Sequence, residues 1–409
     1  MKILFIAPYM ANNDVSLLSQ CKSGFGYMTF DIASSVAEKQ IVETLLYNYR
    51  YGSFKLGNVQ FIGSSWKNFF ACLSHCCSPL LPLRLYCKYR MRIRTFFRVC
   101  YGWLISGYYS DVIKKGHYDV VHIHGCGFMN EYFIRICEQQ NVPFVITLHG
   151  LNSFSDSIKL ERAGKRYEKD FLRSALEKKY NITVIASGIK RTILDYLNVD
   201  ENDNIYVVNN SFTFCPNCSK VDVRKQYGIP KDAKLVLYVG NISSNKNQAQ
   251  MVRAFSLLPY EWKLQVYILF LGRNNESGYT INSLIDNTGY KDHLILCGNI
   301  DKSEISSYYQ EADAVVLLSK TEGFGLSLIE GMHFGIPCMT FTDLNAFEDI
   351  YSEDAVIAIP NRDDKTVACS LVELLISKWS KENIIKASKR YESASMADNY
   401  INVYRSVQL

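Results

Sequence analysis

The chain is 409 residues long, 48% hydrophobic and 21% charged, the balance of an ordinary globular protein with length for two or three domains. That balance excludes a disordered or low-complexity chain, and no repeat at solenoid spacing is present. The net charge of +5 is unevenly laid down: residues 44–110 hold nine Lys and Arg and no Asp or Glu, so the remainder sums to −4, and a long one-sign segment implies an anionic partner.

In chain order, Lys2–Ala7 is a short apolar run closed by Pro8, predicted to be a buried first strand rather than the longer apolar region of a signal peptide. Strands are predicted next at Ile41–Tyr47, Asp119–His122, Phe144–Leu148, Thr183–Ala186 and Ile205–Val208. A second series covers Lys234–Val239, Leu264–Leu271, His293–Cys297, Ala314–Leu318 and Pro337–Phe341. Helical patterns at Tyr27–Glu38, Asn130–Gln139, Lys159–Lys178, Asn247–Leu258, Lys302–Gln310 and Leu326–His333 lie between them, with another at Tyr391–Tyr404. This alternation predicts two doubly wound parallel-sheet α/β domains with ligands at the carboxyl ends of the strands. The aperiodic Ser211–Lys220, with Asn217 and Pro216, is the predicted linker. The longest uncharged apolar stretch, Asn68–Leu83, is too short to span a membrane and is broken by His75, Pro79 and Pro82. The 13 cysteines are odd in number and follow no framework, which fits a reducing compartment. Cys215 and Cys218 form a lone CxxC, read as part of an exposed linker with a redox or metal role as the alternative.

The densest chemistry lies in Ser319–Met332. Gly323 and Gly325 allow close backbone approach to a ligand, and the helix opening at Leu326, after Phe324, turns amides and a positive dipole end toward it. A diphosphate suits such a place. Glu322 in the loop and Glu330 in the helix are carboxylates that accept bonds from sugar hydroxyls. The turn Gly240–Asn247 after the first strand of the second series supplies Lys246. In the first half, Ser23-Gly24-Phe25-Gly26 is either a plain helix-start turn or a ligand-facing loop. It excludes the dinucleotide fingerprint, because Thr29 stands where a third glycine would be. His122, His124 and His149 stand at strand ends, where a histidine is either hydrogen-bonded into the fold or faces a ligand.

Together these motifs resemble the retaining GT-B glycosyltransferases of family 4. That family's hallmark is two glutamates separated by seven residues within E-G-F-G…E, followed by G-x-P; here these are Glu322, Glu330 and Gly335-Ile336-Pro337. The resemblance implies that Glu322 contacts the donor sugar, Glu330 the nucleotide ribose, and Gly323, Phe324, Gly325 and Leu326 the diphosphate. Lys246 matches the lysine of the family's Arg-and-Lys loop; Asn241 stands in place of the arginine, and Arg273 is the candidate to restore that charge. Glu322, Lys246 and His149, the last carried over as lying above the donor sugar, are the catalytic set. Gly24 and Gly26 fall in the loop that faces acceptor and donor phosphate. Asn209-Asn210-Ser211 replaces the family's P-N-G, and Asp343–Glu348 keeps only Glu348 of G-G-x-x-E. The likeness covers essentially the whole chain, strongest over residues 234–348 and weak over 51–116. It implies a GT-B fold with two Rossmann-like domains facing across a cleft. Residues 1–212 would be the acceptor side, completed by a crossover helix at about 391–409, and residues 217–390 the donor side.

The implied reaction moves a hexose from a UDP- or GDP-linked donor to a glycan or polyprenyl-linked glycan, in surface polysaccharide or lipopolysaccharide synthesis. No residue in the motifs is an obvious carboxylate nucleophile for double displacement, so same-face attack with the leaving phosphate as base is expected. The sequence has no Asp-x-Asp, so no metal or other cofactor is expected and Lys246 with the loop amides carries the charge. Residues 84–98 interleave cations with aromatics and suit anionic lipid headgroups, which would place the enzyme in the cytoplasm at the inner face of the membrane. An ordinary basic helix is the alternative, and no nucleic-acid partner is expected. A non-catalytic relative serving as a partner or scaffold is the alternative function, raised by Asn241; a nucleotide-sugar epimerase accounts less well for the glutamate pair.

Overall fold

The computed structural model describes residues 1–12, 15–20, 23–64, 78–154, 161–212, 219–274 and 281–408. Cys215, Cys218, most of the predicted linker and residues 68–77 of the apolar stretch lie outside the described residues.

Fourteen strands are described. The first eight are β1 (Lys2–Ala7), β2 (Ile41–Leu46), β3 (Phe54–Leu56), β4 (Val59–Phe61), β5 (Val120–His124), β6 (Phe144–Leu148), β7 (Asn181–Val184) and β8 (Ile205–Val207). They form one sheet in the order β3-β4-β2-β1-β5-β6-β7-β8. The others are β9 (Lys234–Val239), β10 (Val266–Leu271), β11 (Leu294–Gly298), β12 (Ala314–Leu317), β13 (Cys338–Phe341) and β14 (Val356–Ile359), ordered β11-β10-β9-β12-β13-β14. Every pairing in the second sheet is parallel. The first sheet is parallel except at its edge, where β3 and β4 pair antiparallel. Central strands such as β1 and β5 are buried almost throughout, as in a parallel sheet covered on both faces.

The chain divides into two compact units. One holds Met1–Ile185, Ile189–Asn210 and Ser393–Leu409; the other holds Ala186–Gly188 and Ser211–Glu392. The C-terminal helix Ser393–Ser406 is therefore part of the first unit. Its Met396, Tyr400, Ile401 and Tyr404 join Ile3, Phe5 and Ile32 in one core. In the second unit Val236, Ile268 and Val316 of the sheet pack with Met251, Phe255 and Leu371 of two covering helices. No helix among the described residues is long and apolar enough to cross a membrane.

The elements depart from expectation at points with local causes. The strand predicted from Leu264 starts at Val266, because Pro259 opens a short helix, Tyr260–Gln265, on which Leu264 is an exposed apolar residue. The helix predicted from Tyr27 starts at Gly24, where the Ser23 hydroxyl accepts a bond from the Gly26 amide at 3.1 Å and so caps it. The strand predicted over Thr183–Ala186 lies two residues earlier, set by pairing of Asn181 with Val145. Strands β3, β4 and β14 were not expected. The basic segment forms the helices Leu81–Tyr89 and Ile93–Leu104, in line with the alternative of an ordinary basic helix, and the helix Ser106–Gly116 after them was not expected.

Candidate active site

In an open parallel sheet, the place where strand order reverses leaves a crevice at the carboxyl ends. In the second sheet the chain runs outward from β9 through β10 to β11, then returns to β12 on the other side of β9. The reversal lies between β9 and β12, and these two strands carry the two loops singled out above. The turn after β9 bears Lys246, and the loop after β12 bears Glu322.

The two side chains meet. Glu322 Oε1 accepts from Lys246 Nζ and, at 2.6 Å, from the Ser319 hydroxyl. The side chains are 27% and 12% exposed, so this pair is far less screened than a surface ion pair. Gly240, at φ 148°, has its missing side chain facing the Lys246 stem: a Cβ there would lie 3.4 Å from Lys246 Cε.

The loops are fastened by bonds the sequence did not announce. Tyr238, fully buried on β9, donates its hydroxyl to the Lys246 carbonyl and accepts from the Leu318 amide at 2.9 Å. Asn245 gives its amide to the Thr321 carbonyl at 3.0 Å and accepts from the Thr321 hydroxyl at 2.8 Å. The Lys320 amide donates to the Asn245 carbonyl at 2.8 Å. Lys246 and Glu322 thus stand on a cross-braced pair of loops, as preorganised charge requires.

The helix Leu326–His333 has Gly325 as its N-cap, whose φ of 97° suits glycine and which brings no side chain to cap the first turn. Gly323 is partly buried, whereas Phe324 is buried and meets Tyr391 edge-on at 5.8 Å. Phe324 therefore anchors the loop, leaving only its backbone to face a ligand; Leu326 is the first residue of the helix. Glu330 lies one turn in and accepts from the Tyr309 hydroxyl at 2.5 Å. Burial and then the Glu330 carboxylate hold that hydroxyl well above its ordinary pKa, so it remains a donor. Asn241 does not reproduce an arginine: its Oδ1 accepts the Arg273 backbone amide at 3.2 Å. This brings Arg273, after the neighbouring strand β10, beside the same turn with an exposed side chain.

The first unit holds a second cluster, around the reversal between β1 and β5. Gly24 and Gly26 open the helix after β1. Gly24 has open space around it, whereas a Cβ on Gly26 would come within 2.9 Å of the Ala11 Cβ, so close packing requires the second glycine. His124 ends β5 and His149 follows β6, with His124 Nδ1 3.0 Å from His149 Nε2. Phe25 meets His149 edge-on at 4.8 Å. His122 is bonded on both nitrogens, to the Tyr404 hydroxyl at 2.7 Å and the Thr147 hydroxyl at 2.5 Å, and belongs to the core. His124 Nε2 is buried with no partner among the described residues. Burial pushes His149 down to about 4. Burial, with the neighbouring imidazoles, holds His122 and His124 well below their ordinary value. In the ligand-free fold burial thus favours the neutral form of all three, and His149 stands as a hydrogen-bonding imidazole rather than as a cation.

Two parallel α/β units, the second with facing cation and carboxylate at its reversal point, define the GT-B class of glycosyltransferases. Residues 219–391 match the family described as Glycosyl transferases group 1, and residues 74–212 match Glycosyltransferase Family 4. The chain is 22% identical over 320 residues to N-acetyl-alpha-D-glucosaminyl L-malate synthase of Bacillus anthracis, covering 75% of this chain and 80% of that one. It is 27% identical over 274 residues to GDP-mannose:cellobiosyl-diphosphopolyprenol alpha-mannosyltransferase of Xanthomonas oryzae pv. oryzae, covering 65% and 66%. Among solved structures it is similar to HepE of Anabaena in complex with UDP and glucose, at a TM-score of 0.65 and 16% identity, covering 99% of this chain and 100% of that one. The chain belongs to the family 4 glycosyltransferases of the GT-B fold and is an enzyme of the hexosyltransferase class.

Proposed function

We propose that the enzyme transfers a hexose from a UDP- or GDP-linked donor to a glycan or lipid-linked glycan, with retention and without a metal, in synthesis of a surface polysaccharide or lipopolysaccharide. The observation that carries this reading is the placing of Lys246 and Glu322 together on braced loops at the reversal of the second sheet, with Glu330 one turn into the following helix. A diphosphate drawn to Lys246, Arg273 and the helix start has its charge met by fixed groups. Glu322 and Glu330 then offer carboxylates to sugar and ribose hydroxyls. The names of the relatives favour the same chemistry: one uses GDP-mannose and a diphosphopolyprenol-linked acceptor, and a structural neighbour holds UDP. Retention by same-face attack is favoured because Glu322 is already engaged by Lys246 and Ser319, which suits a binding carboxylate better than a nucleophile.

A thermal-shift screen against UDP, GDP, ADP and their sugars, with and without EDTA, tests the reading. A ligand bound by the folded state alone at about 100 times its Kd adds about 2.7 kcal/mol to stability, a readily measured rise in Tm. The expected result is a rise with one of the UDP or GDP series, unchanged by EDTA. No rise with any nucleotide overturns the donor assignment; a rise abolished by EDTA overturns metal independence.

The basic segment favours attachment to an anionic membrane. Leu80, Leu83, Ile93, Phe97 and Leu104 are exposed among Arg84, Lys88, Arg90, Arg92 and Arg94, an interfacial pattern of apolar anchors and cations. Co-sedimentation with phosphatidylserine vesicles, falling as salt rises, is the expected outcome. Equal binding to phosphatidylcholine vesicles, or none to either, removes this part of the proposal.

A further inference from the structure

The first unit has a cavity of about 440 Å³ among the helices Leu81–Tyr89, Asn130–Gln140 and Arg162–Glu177. That volume lies within the range of small-ligand sites, roughly 300–1,000 Å³. Its floor includes Leu81, Leu85 and Phe171. Its wall carries three ion pairs: Lys88 with Asp170 at 2.9 Å, Arg135 with Glu131 at 2.6 Å, and Lys178 with Glu138 at 2.8 Å. Tyr89, Tyr167 and Tyr180 bond the same three carboxylates. In every pair the carboxylate is the more recessed partner and the cation stands toward solvent.

This lining selects a ligand class. Arg84, exposed and with no ion pair among the described residues, also lines the cavity and meets at most a single negative charge; a polyanion would have to compete with three carboxylates for Lys88, Arg135 and Lys178, which are already paired. An apolar chain would strip water from seven charges, at a cost that its own burial does not offset. A neutral polyol loses neither way: its hydroxyls donate to recessed carboxylates, accept from the outer ammonium and guanidinium groups, and leave each pair intact. The apolar C–H face of a sugar ring suits the Leu81, Leu85 and Phe171 floor. Partly exposed ion pairs contribute only about 0–1 kcal/mol each to folding, so stability is a weak reason for three of them around one hollow.

No residue of the first unit's histidine cluster lines the cavity. Lys178 and Tyr180 precede β7, and Glu138 lies near the end of the helix leading to β6. The hollow thus reaches toward the amino ends of β6 and β7, and His149 follows the carboxyl end of β6. We propose that it binds a neutral oligosaccharide stretch, holding a polymeric glycan at a second point away from the site of transfer. Its use in the reaction rests on the reading of the acceptor as a glycan. Two-point attachment of one polymer raises its apparent affinity without any change at the reacting end.

The test uses the full chain without donor, on immobilised maltoheptaose, cellopentaose, dextran and mannan, with dextran sulfate as the anionic control. Ser174 lines the mouth and is exposed, so Ser174→Trp fills the cavity while sparing every ion pair. Glu138→Gln keeps the shape and removes one charged acceptor. The expected result is binding of wild type to at least one neutral glycan, weakened about tenfold or more in S174W and severalfold in E138Q. The Tm and its nucleotide-induced rise should be unaltered in both variants. No binding to any of the neutral glycans, binding to dextran sulfate alone, or undiminished binding by S174W and E138Q overturns the proposal. Glycan binding sensitive to S174W in a protein that responds to no nucleotide leaves the cavity assignment standing and sinks the donor reading instead.

Discussion

Glu322→Ala is expected to lower transfer by about 10²–10³-fold while leaving the fold intact, the scale seen when one preorganised polar contact to a transition state is removed. The loop keeps its shape because its bracing runs through Tyr238, Asn245, Thr321 and Lys320 rather than through the carboxylate. What is lost is the partner of Lys246 and Ser319, and with it the proposed grip on the donor sugar. Initial rates of sugar transfer, measured beside the circular-dichroism melt, check this. Unchanged turnover removes Glu322 from the mechanism; a collapsed melt shows that its part is structural.

The first unit is expected to be acid-labile over a window set by its histidines. In the unfolded chain each takes up a proton near the ordinary value of 6.5; in the fold burial lowers that value, to about 4 for His149. Above about pH 6.5 neither state binds the proton and the stability is fully present. Below it the unfolded chain is protonated first, and stability drains away until the folded histidine titrates. The 2.5-unit gap at His149 corresponds to about 3 kcal/mol. His122 and His124, also lowered, act in the same direction and extend the loss to lower pH. Against a typical total of about 5–15 kcal/mol, this is a large share. Hydrogen exchange of the β5 and β6 amides should therefore accelerate between pH 7 and pH 5, after correction for the intrinsic pH dependence of exchange. A corrected rate that stays flat over this range would contradict the neutral, buried state of the cluster.

What the sequence disclosed, and what it hid, follows from the reach of local pattern. Glu322 and Glu330, Gly323 and Gly325 all lie on one strand–loop–helix boundary, so their spacing alone was informative. The alternation of apolar runs was enough for two parallel α/β units, and Leu326–His333 was delimited to the residue by glycine before it and Gly335 after it. The meeting of Lys246 with Glu322, 76 residues apart in the chain, could not be read this way, because it depends on β9 and β12 being neighbours in the sheet. His124 and His149 are joined by the same kind of non-local pairing. Tyr238 looked like any aromatic in an apolar strand; nothing local marks a hydroxyl that bonds two loops. Helix over residues 84–98 stood only as an alternative because the exposed faces carry Leu83, Ile93 and Phe97, which blurs the contrast between apolar and polar faces on which helical periodicity depends.

The contact between Lys246 and Glu322 means that, on the proposed reading, the ligand-free site is satisfied by itself. The cation meant for a diphosphate and the carboxylate meant for a sugar occupy one another. A free monosaccharide offers hydroxyls but no charge with which to draw the lysine away, so it meets a carboxylate of which one oxygen, Oε1, is already taken by Lys246 and Ser319. A diphosphate can take the lysine, and the full carboxylate of Glu322 is then open to the sugar carried on the same molecule. Recognition of the two halves of the donor is thereby sequential, and the nucleotide end acts as the authorisation for the sugar end. The same neutral pairing spares the resting enzyme an uncompensated charge in a half-buried pocket.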